Sequence, residues 1–239
     1  MATRSYRGVK NRIAYDHGEL LSKIVTPQNV EERMAERYLG PIGDLNRWVD
    51  GVRAETGESV PYFDPRAASD GAKVLMLLQD PSGAADGESG FISRHNNDKT
   101  AHNVYQLCLD TDLRYAHYIA WNVIPWWVAN PAKGPRSLTS EARRARPYLE
   151  EVIDLLPGDL AAVIVMGETQ TQPAWRAAVG HSQSRFRGAE VRFTAHPGPL
   201  AINQTDKKTG RRKGDLIAET FSDIAEMLLR VGPDCRNPV

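Results

Sequence analysis

The sequence predicts an α/β fold, a three-layer α/β/α sandwich around a mainly parallel four-stranded sheet. Continuous apolar runs at residues 73–78 and 160–166 are typical of strands that are buried on both faces of a sheet. Two further strand patterns lie at 117–121 and 190–194. Helical patterns separate the strands, and alternation of strands with helices is typical of a parallel sheet.

The helices of this pattern are predicted from apolar residues that recur at helical spacing. They cover residues 101–109, 140–156, 171–179 and 215–230. The first three connect successive strands, and the last follows the fourth strand. A loop is predicted over 79–99, between the first strand and the first of these helices.

The first 60 residues carry a different pattern. We expect residues 1–60 to form a helical N-terminal extension packed on the core, before an α/β domain at 61–232. Apolar residues recur at near-helical spacing over 28–54, and glycines and a proline within 40–43 interrupt them. This pattern predicts two short helices joined by a turn.

Length and composition are those of an ordinary globular protein. The 239 residues suit one large domain, or one domain with an extension. Hydrophobic residues make up 41% and charged residues 25%, which excludes a wholly disordered chain. No apolar run approaches the roughly 18–20 residues that span a bilayer, so we expect no membrane association.

Cysteine content and charge limit the chemistry further. Cys108 and Cys235 are too few for a disulfide scaffold, a four-cysteine zinc site or an iron–sulfur cluster. We expect a reducing, cytoplasmic environment and neither a metal nor another cofactor. Lys and Arg (30) balance Asp and Glu (30), so any binding to nucleic acid would depend on a local basic surface.

Polar residues follow the predicted strands at the points where the strands end. Gln79-Asp80 follows the first strand, Asn122 the second, Gly167-Glu168 the third and His196 the fourth. Because ligands of parallel sheets bind beyond the carboxyl ends of the strands, these side chains are expected at one site. Alone, each has a common structural explanation, such as a turn or helix cap for Asp80. Their joint occurrence at the same relative place favours a functional site.

Several of these residues lie in motifs that resemble the uracil-DNA glycosylase superfamily, over roughly residues 62–230. Gln79-Asp80-Pro81 looks like the water-activating motif of that family. Phe91 looks like the aromatic residue that stacks on the flipped base, and Asn122 like the asparagine that reads the base. His196-Pro-Gly-Pro-Leu200 looks like the family's His-Pro-Ser-Pro-Leu motif. The wider pattern is similar to bacterial members known only as uracil-DNA glycosylase family proteins.

The resemblance implies a monofunctional DNA glycosylase, which flips a pyrimidine out of DNA and hydrolyses its N-glycosidic bond to leave an abasic site. Asp80 is then expected to orient the water and to stabilise positive charge on the sugar. His196 is expected to donate a hydrogen bond to O2 of the departing base. Gln79, Phe91 and Asn122 are expected to contact the base. No lysine lies at a pocket motif, so Schiff-base chemistry is not expected.

The chain departs from the uracil-specific pattern at two positions. Ser82 stands where those enzymes have a tyrosine whose ring crowds C5 of the base, and Gly198 stands at the motif's serine. A roomy C5 side, with Ser82 in contact with the base, indicates a C5-modified pyrimidine. Hydroxymethylated or glucosylated bases of phage DNA are examples, and they imply anti-phage defence. Plain uracil excision in base excision repair is the alternative. A non-catalytic DNA-binding relative and a hydrolase of free nucleosides are alternatives of other classes.

The expected partner is DNA, single- or double-stranded, bound by a monomer in the bacterial cytosol or nucleoid. Leu200 is expected to act as an apolar wedge in the gap that the flipped nucleotide leaves. The basic residues that follow it are Lys207, Lys208, Arg211, Arg212 and Lys213. Beside a wedge they are expected to contact phosphates, and a solvated loop is the alternative. The role of residues 1–60 stays open between covering the sheet, binding a partner and contacting DNA.

Overall fold

The computed structural model describes residues 6–156, 160–179 and 188–230. Its strands are β1 (Tyr62–Phe63), β2 (Val74–Leu78), β3 (Phe91–Ile92), β4 (Tyr118–Asn122), β5 (Ala162–Met166) and β6 (Glu190–Thr194). Its α-helices are α1 (Arg12–Asp16), α2 (Pro27–Glu36), α3 (Gly43–Thr56), α4 (Lys99–Asp110), α5 (Leu138–Leu155), α6 (Thr171–Val179), α7 (Pro199–Ile202) and α8 (Lys213–Arg230). Cys235 lies outside the described residues.

The main sheet has four strands in the order β4-β2-β5-β6, and every neighbouring pair is parallel. These are the four strands that the sequence predicts. In the register of β2 and β4, Leu78 lies opposite Asn122, so the two strands end side by side. The short strands β1 and β3 form a separate parallel pair.

Helices cover both faces of this sheet, which confirms the predicted fold class. Successive residues of β2 point to opposite faces, as the strand geometry requires. Leu75 and Leu77 lie in a buried core with residues of α3, α5 and α6. Val74 and Met76 lie in a second buried core with residues of α4 and α8.

The strand order leaves a crevice at the carboxyl edge of the sheet. From β2 the chain goes to β4 on one side, whereas from β5 it goes to β6 on the other side. The segments that follow β2 and β5 therefore diverge, and open α/β sheets bind ligands at such a reversal of strand order. Gln79 and Asp80 directly follow β2 at this point.

The N-terminal helices contribute to the same interior. Val30 of α2 and Leu45 and Val49 of α3 are buried in the core that contains Leu75. Helix α1, which the sequence pattern does not predict, is only five residues long and begins at the capping residue Asn11. Together with the N-terminal segment it packs on α4. The division of the chain at residue 60 stays a prediction.

The segment predicted as a loop over 79–99 contains regular structure. Residues 84–89 form a short π-helix, and Gly90 ends it with a φ of 78°, a left-handed value that glycine adopts without strain. Strand β3 follows at once. Single π-helical turns occur frequently at functional sites, and this one lies beside the crevice.

The longest described helices are amphipathic. Helices α5 and α8 each have 18 residues, and each buries one side against the sheet. Among the described residues, none of the helices combines the length and the apolar content that crossing a membrane requires.

Candidate active site

A cavity of about 190 Å³ lies in the crevice at the carboxyl edge of the sheet. An apolar cavity of about 150 Å³ binds benzene, so this one has room for a six-membered ring. Its floor includes Met76 and Leu78 of β2 and Met166 of β5. The predicted site residues that border it are Gln79, Asp80, Ser82, Asn122 and His196. The structure thus brings together residues from the ends of three strands.

The Asp80 carboxylate is held at both oxygens. Nε2 of Gln79 donates to Oδ1 over 2.5 Å, and the backbone N–H of Val128 donates to Oδ2 over 2.8 Å. Burial raises the pKa of Asp80, and these hydrogen bonds, with one from the backbone of Ala129, oppose the rise. Hydrogen bonds to both oxygens fix the rotation of the carboxylate, and partial removal from water strengthens its field.

Two amides at the strand ends carry buried polar atoms without partners in the described part of the chain. These atoms are Nδ2 of Asn122 and Oε1 of Gln79. Asn122 is only 2% exposed, and both residues border the cavity. A buried polar atom without a hydrogen bond is costly, so a water or ligand that reaches these atoms would be stabilised by bonding to them. The pair offers a ligand one donor and one acceptor.

His196 presents a single proton to the cavity. The backbone N–H of Gly198 donates to its Nδ1 over 2.8 Å, so Nδ1 is the acceptor and Nε2 carries the proton in the neutral ring. Burial lowers the pKa of His196, which favours that neutral form. A Cβ atom at position 198 would lie 2.7 Å from Nδ1, so glycine allows the chain to approach the ring closely.

Phe91 lies behind the cavity wall. Its side chain is fully buried, with its ring centroid 6.0 Å from that of Tyr62. Within β3, Ile92 and not Phe91 is among the residues that border the cavity. The stacking role of Phe91 stays a prediction, and Ile92 is the apolar side chain of this strand that a bound ring would meet.

The neighbourhood of Ser82 is open. Ser82 is exposed at the rim, and the following Gly83 lies against the six-membered ring of Trp127, 3.4 Å from the position of a Cβ. Trp126 is buried elsewhere, where its Nε1 donates to Glu141 over 2.7 Å. Among the described residues that border the cavity, none is a tryptophan.

The structure adds Arg94 and Asn96 to the cavity wall. Nδ2 of Asn96 donates to the carbonyl of Phe91 over 2.8 Å, while its Oδ1 is buried without a partner among the described residues. The guanidinium of Arg94 lies over the rings of Tyr105 and Tyr115, at 4.0 and 4.1 Å from their centroids. Neither residue is among the predicted site residues. Their position just after the Phe91 motif is what in the sequence could have indicated them.

A buried ionic cluster supports this wall from behind. Asp64 accepts hydrogen bonds from Arg33, Ser93 and Tyr115. Burial alone would raise the pKa of Asp64, but the Arg33 guanidinium and hydrogen bonds from His95 and Ser93 hold it well below its ordinary value. Ser93 borders the cavity directly before Arg94, so its hydrogen bond to Asp64 helps to fix the position of this wall.

A second carboxylate borders the cavity and has a structural role. Asp98 caps α4, where its side chain accepts from the backbone N–H of Ala101 over 2.8 Å. Burial raises the pKa of Asp98, and the backbone hydrogen bonds of the cap oppose the rise. Because this carboxylate is committed to the helix N-terminus, Asp80 is the better candidate for chemistry.

Leu200 lies on α7, just beyond His196, and is 85% exposed. The wedge role of Leu200 stays a prediction.

The basic residues after Leu200 differ in their ion pairing. Three have carboxylate partners: Arg211 with Glu219, Arg212 with Asp215 and Lys213 with Glu168, at 2.8, 2.7 and 2.6 Å. Lys207 and Lys208 are exposed and have no acidic partner within the described ranges. These two lysines are therefore the more available for an external anion.

Comparisons with known proteins identify no family. The chain matches no protein-family model and none of the curated proteins. Among solved structures it is similar to mimivirus UNG, a uracil-DNA glycosylase, in complex with UGI. The match covers 85% of this chain and 76% of that chain, at 12% identity and a TM-score of 0.35.

Proposed function

We propose that this protein is a DNA glycosylase, which hydrolyses the N-glycosidic bond of a flipped pyrimidine nucleotide. The observation that carries the proposal is the pairing of Asp80, an anchored carboxylate, with His196, a neutral N–H donor, on one ring-sized cavity. The two groups have the opposite electrostatic characters that this reaction needs.

Breaking the bond builds positive charge on the sugar and negative charge on the departing base. The Asp80 carboxylate stabilises the cationic sugar and orients a water towards C1′. The N–H at Nε2 of His196 stabilises the negative charge that collects on O2 of the base. A neutral imidazole is sufficient, because the base leaves as an anion. The N–H dipole stabilises that anion without transferring a proton to it.

Recognition of the base falls to the unpartnered amides. Nδ2 of Asn122 and Oε1 of Gln79 can pair with the hydrogen-bonding edge of a pyrimidine, and Ile92 can contact its face. Filling the cavity with such a base would satisfy atoms that are otherwise buried without partners.

The preferred substrate in this proposal is a pyrimidine with a polar substituent at C5. Support comes from the small, exposed side chain of Ser82 at the rim and from the unpartnered Oδ1 of Asn96, which can accept from a hydroxyl. Hydroxymethylated and glucosylated bases of phage DNA meet this description and would make the enzyme a defence enzyme. Uracil, as in base excision repair, is the competing substrate.

Contact with DNA is assigned to exposed side chains that follow His196 along the chain. Leu200 occupies the gap in the base stack, and Lys207 and Lys208 contact phosphates. The paired Arg211, Arg212 and Lys213 would have to exchange their carboxylate partners for phosphates, so their contributions are smaller.

A substrate panel tests the proposal. The protein is incubated with single- and double-stranded oligonucleotides that contain uracil, 5-hydroxymethyluracil or glucosylated hydroxymethylcytosine, and abasic sites are measured. The matching free nucleosides and Asp80→Asn serve as controls. We expect release from DNA only, and none with Asp80→Asn. Release from nucleosides alone would indicate a nucleoside hydrolase, and DNA binding without release a non-catalytic relative. Either result would overturn the proposal.

A further inference from the structure

The N-terminal segment at residues 8–22 is bonded directly to the wall segment, which we define as residues 94–97. More than 70 residues separate the two along the chain. The contacts use backbone carbonyls and side-chain amides, which are directional groups, rather than apolar packing alone. The N-terminal segment is thus placed to fix the position of the wall.

Asn11 makes the central contact. Its side chain is fully buried, and Nδ2 donates to the carbonyls of Arg94 and Asn96 over 2.8 and 3.1 Å. Its Oδ1 accepts from the backbone N–H of Ala14 over 3.2 Å and caps α1. One amide therefore joins the start of a helix to the two wall residues that border the cavity.

Further hydrogen bonds flank Asn11. The backbone N–H of Leu21 donates to the carbonyl of His95 over 2.9 Å. Oδ1 of Asn97 accepts from the N–H of Lys10 over 2.7 Å, and its Nδ2 donates to the carbonyl of Gly8 over 2.9 Å. The carbonyls of three consecutive wall residues, 94–96, thus each accept a hydrogen bond from residue 11 or 21, and that of Asn96 also accepts from the backbone N–H of Asp98 over 2.9 Å.

Asn96 of the wall segment borders the cavity, and its Oδ1 is buried without a partner among the described residues. Because Nδ2 of Asn96 is used by the carbonyl of Phe91, the amide cannot turn over, and its unpartnered Oδ1 stays available to a ligand. A shift of the Asn96 backbone would move this oxygen directly. By contrast, Asn122 is the last residue of β4, and Asp80 and His196 lie just after β2 and β6. None of the three has a hydrogen bond to residues 8–22 within the described ranges.

We propose that Asn11 is a positioning residue for base recognition, acting through Asn96. The inference rests on the proposed function and assigns residues 8–22 a part in the active site. Loss of the Asn11 donors loosens the wall and weakens binding of the flipped base. The chemical step is spared, because the hydrogen-bond partners of Asp80 and His196 lie outside residues 8–22.

The first test does not depend on activity. Asn11→Ser keeps an oxygen that caps α1 and removes both donors to the wall. Asn130→Ser is the matched control, because Asn130 also caps a helical turn, at residues 131–133, through its Oδ1, and it has no hydrogen bond to residues 8–22 or to the wall segment within the described ranges. We expect backbone hydrogen exchange over 91–98 to quicken roughly tenfold in Asn11→Ser and to be unchanged in Asn130→Ser, whereas β4 is unchanged in both. Unchanged exchange over 91–98 in Asn11→Ser would overturn the proposal.

The second test uses single-turnover excision on the best wild-type substrate. Asn11→Ser should raise the half-saturating enzyme concentration roughly tenfold, the effect of about one lost hydrogen bond, and change the maximal rate by less than threefold. Asn96→Ala should do the same, and the double variant should be no worse than Asn96→Ala alone, because coupled residues are not additive.

The outcomes separate the two claims. The role of Asn11 in recognition would be overturned if the increases in half-saturating enzyme concentration were additive in the double variant. A decrease of the maximal rate alone in Asn11→Ser would overturn it as well. A wild-type protein that is inactive on every DNA would overturn the proposed function, and the exchange measurement then decides whether Asn11 holds the wall.

Discussion

The backbone N–H of Gly198 and Nδ1 of His196 form a hydrogen bond of 2.8 Å. This bond determines the tautomer of the imidazole, since the remaining proton must sit on Nε2. A histidine that enters the cavity as a donor without being charged can stabilise an anionic leaving group over a broad range of pH. Gly198 and His196, two positions of one motif, thus act together to place the ring proton on Nε2.

Replacing His196 with alanine removes that donor. We expect the maximal rate of base excision to fall by roughly 10²–10³, the usual effect of losing one preorganised donor. The affinity for substrate DNA should change little, because the hydrogen bond is strongest when charge develops on the base. Rapid-quench single-turnover assays measure both quantities. A loss of affinity with a normal rate would assign His196 to binding instead.

Asp80→Asn should abolish nearly all excision, because the amide cannot stabilise the cationic sugar. Folding should persist, with the thermal midpoint within about 4 °C of the wild type, since relief of a partly buried charge offsets one altered hydrogen bond. Excision by Asp80→Asn at the wild-type rate would remove Asp80 from the mechanism.

The pH dependence follows from the same two residues. Burial raises the pKa of Asp80, whose charged form is active, so the rate should fall on acidification at a pH above the ordinary value of about 3.9. Burial lowers the pKa of His196, so its neutral form persists below the ordinary value of about 6.5. The rate should therefore be level near pH 7 and lost only at lower pH. In His196→Ala the fall of the rate at acidic pH should follow the protonation of Asp80 alone. A bell-shaped pH–rate profile centred on pH 6.5 would contradict this assignment.

Leu200→Ala tests the wedge. Because Leu200 is 85% exposed, the substitution should leave thermal stability unchanged. Excision from duplex DNA should fall roughly tenfold, whereas excision from single strands, where extrusion costs less, should fall far less. Leu229→Ala, at another exposed leucine with 80% exposure, is the matched control. Equal impairment on both substrates would show that Leu200 is not a wedge.

Lys207 and Lys208 should account for most of the salt dependence of binding by this loop. Replacing both with alanine should reduce the slope of log Kd against log salt by up to about 2, since each phosphate contact contributes roughly 0.9. Arg230→Ala, at the far end of α8, should leave the slope unchanged. Fluorescence anisotropy over a salt series measures the slope. An unaltered slope in the double variant would show that these lysines do not contact phosphates.

The fold and the strand-end residues could be predicted because both leave local signals. Buried parallel strands appear as continuous apolar runs, and the residues that follow them must meet at one edge. Asp80, Asn122 and His196 were found in this way, and the structure brings them to one cavity. Their chemical roles remain predictions that the variants above address.

The wall segment could not be predicted in the same way. Residues 94–97 carry no periodic pattern, and their position depends on hydrogen bonds with residues more than 70 positions away. Asn11 looks in the sequence like any polar residue near a chain terminus. The position of Phe91 behind Ile92 likewise depends on a two-residue strand, which is too short to show alternation.

The two halves of the cavity are supported by different parts of the chain. The strand ends belong to the main sheet, whereas the wall segment is held by residues 8–22 and by the Asp64 cluster. In evolutionary terms, the proposed glycosylase would separate reactivity from selectivity. Substitutions within residues 8–22 would then change which base the proposed enzyme accepts and leave its bond-breaking groups unchanged.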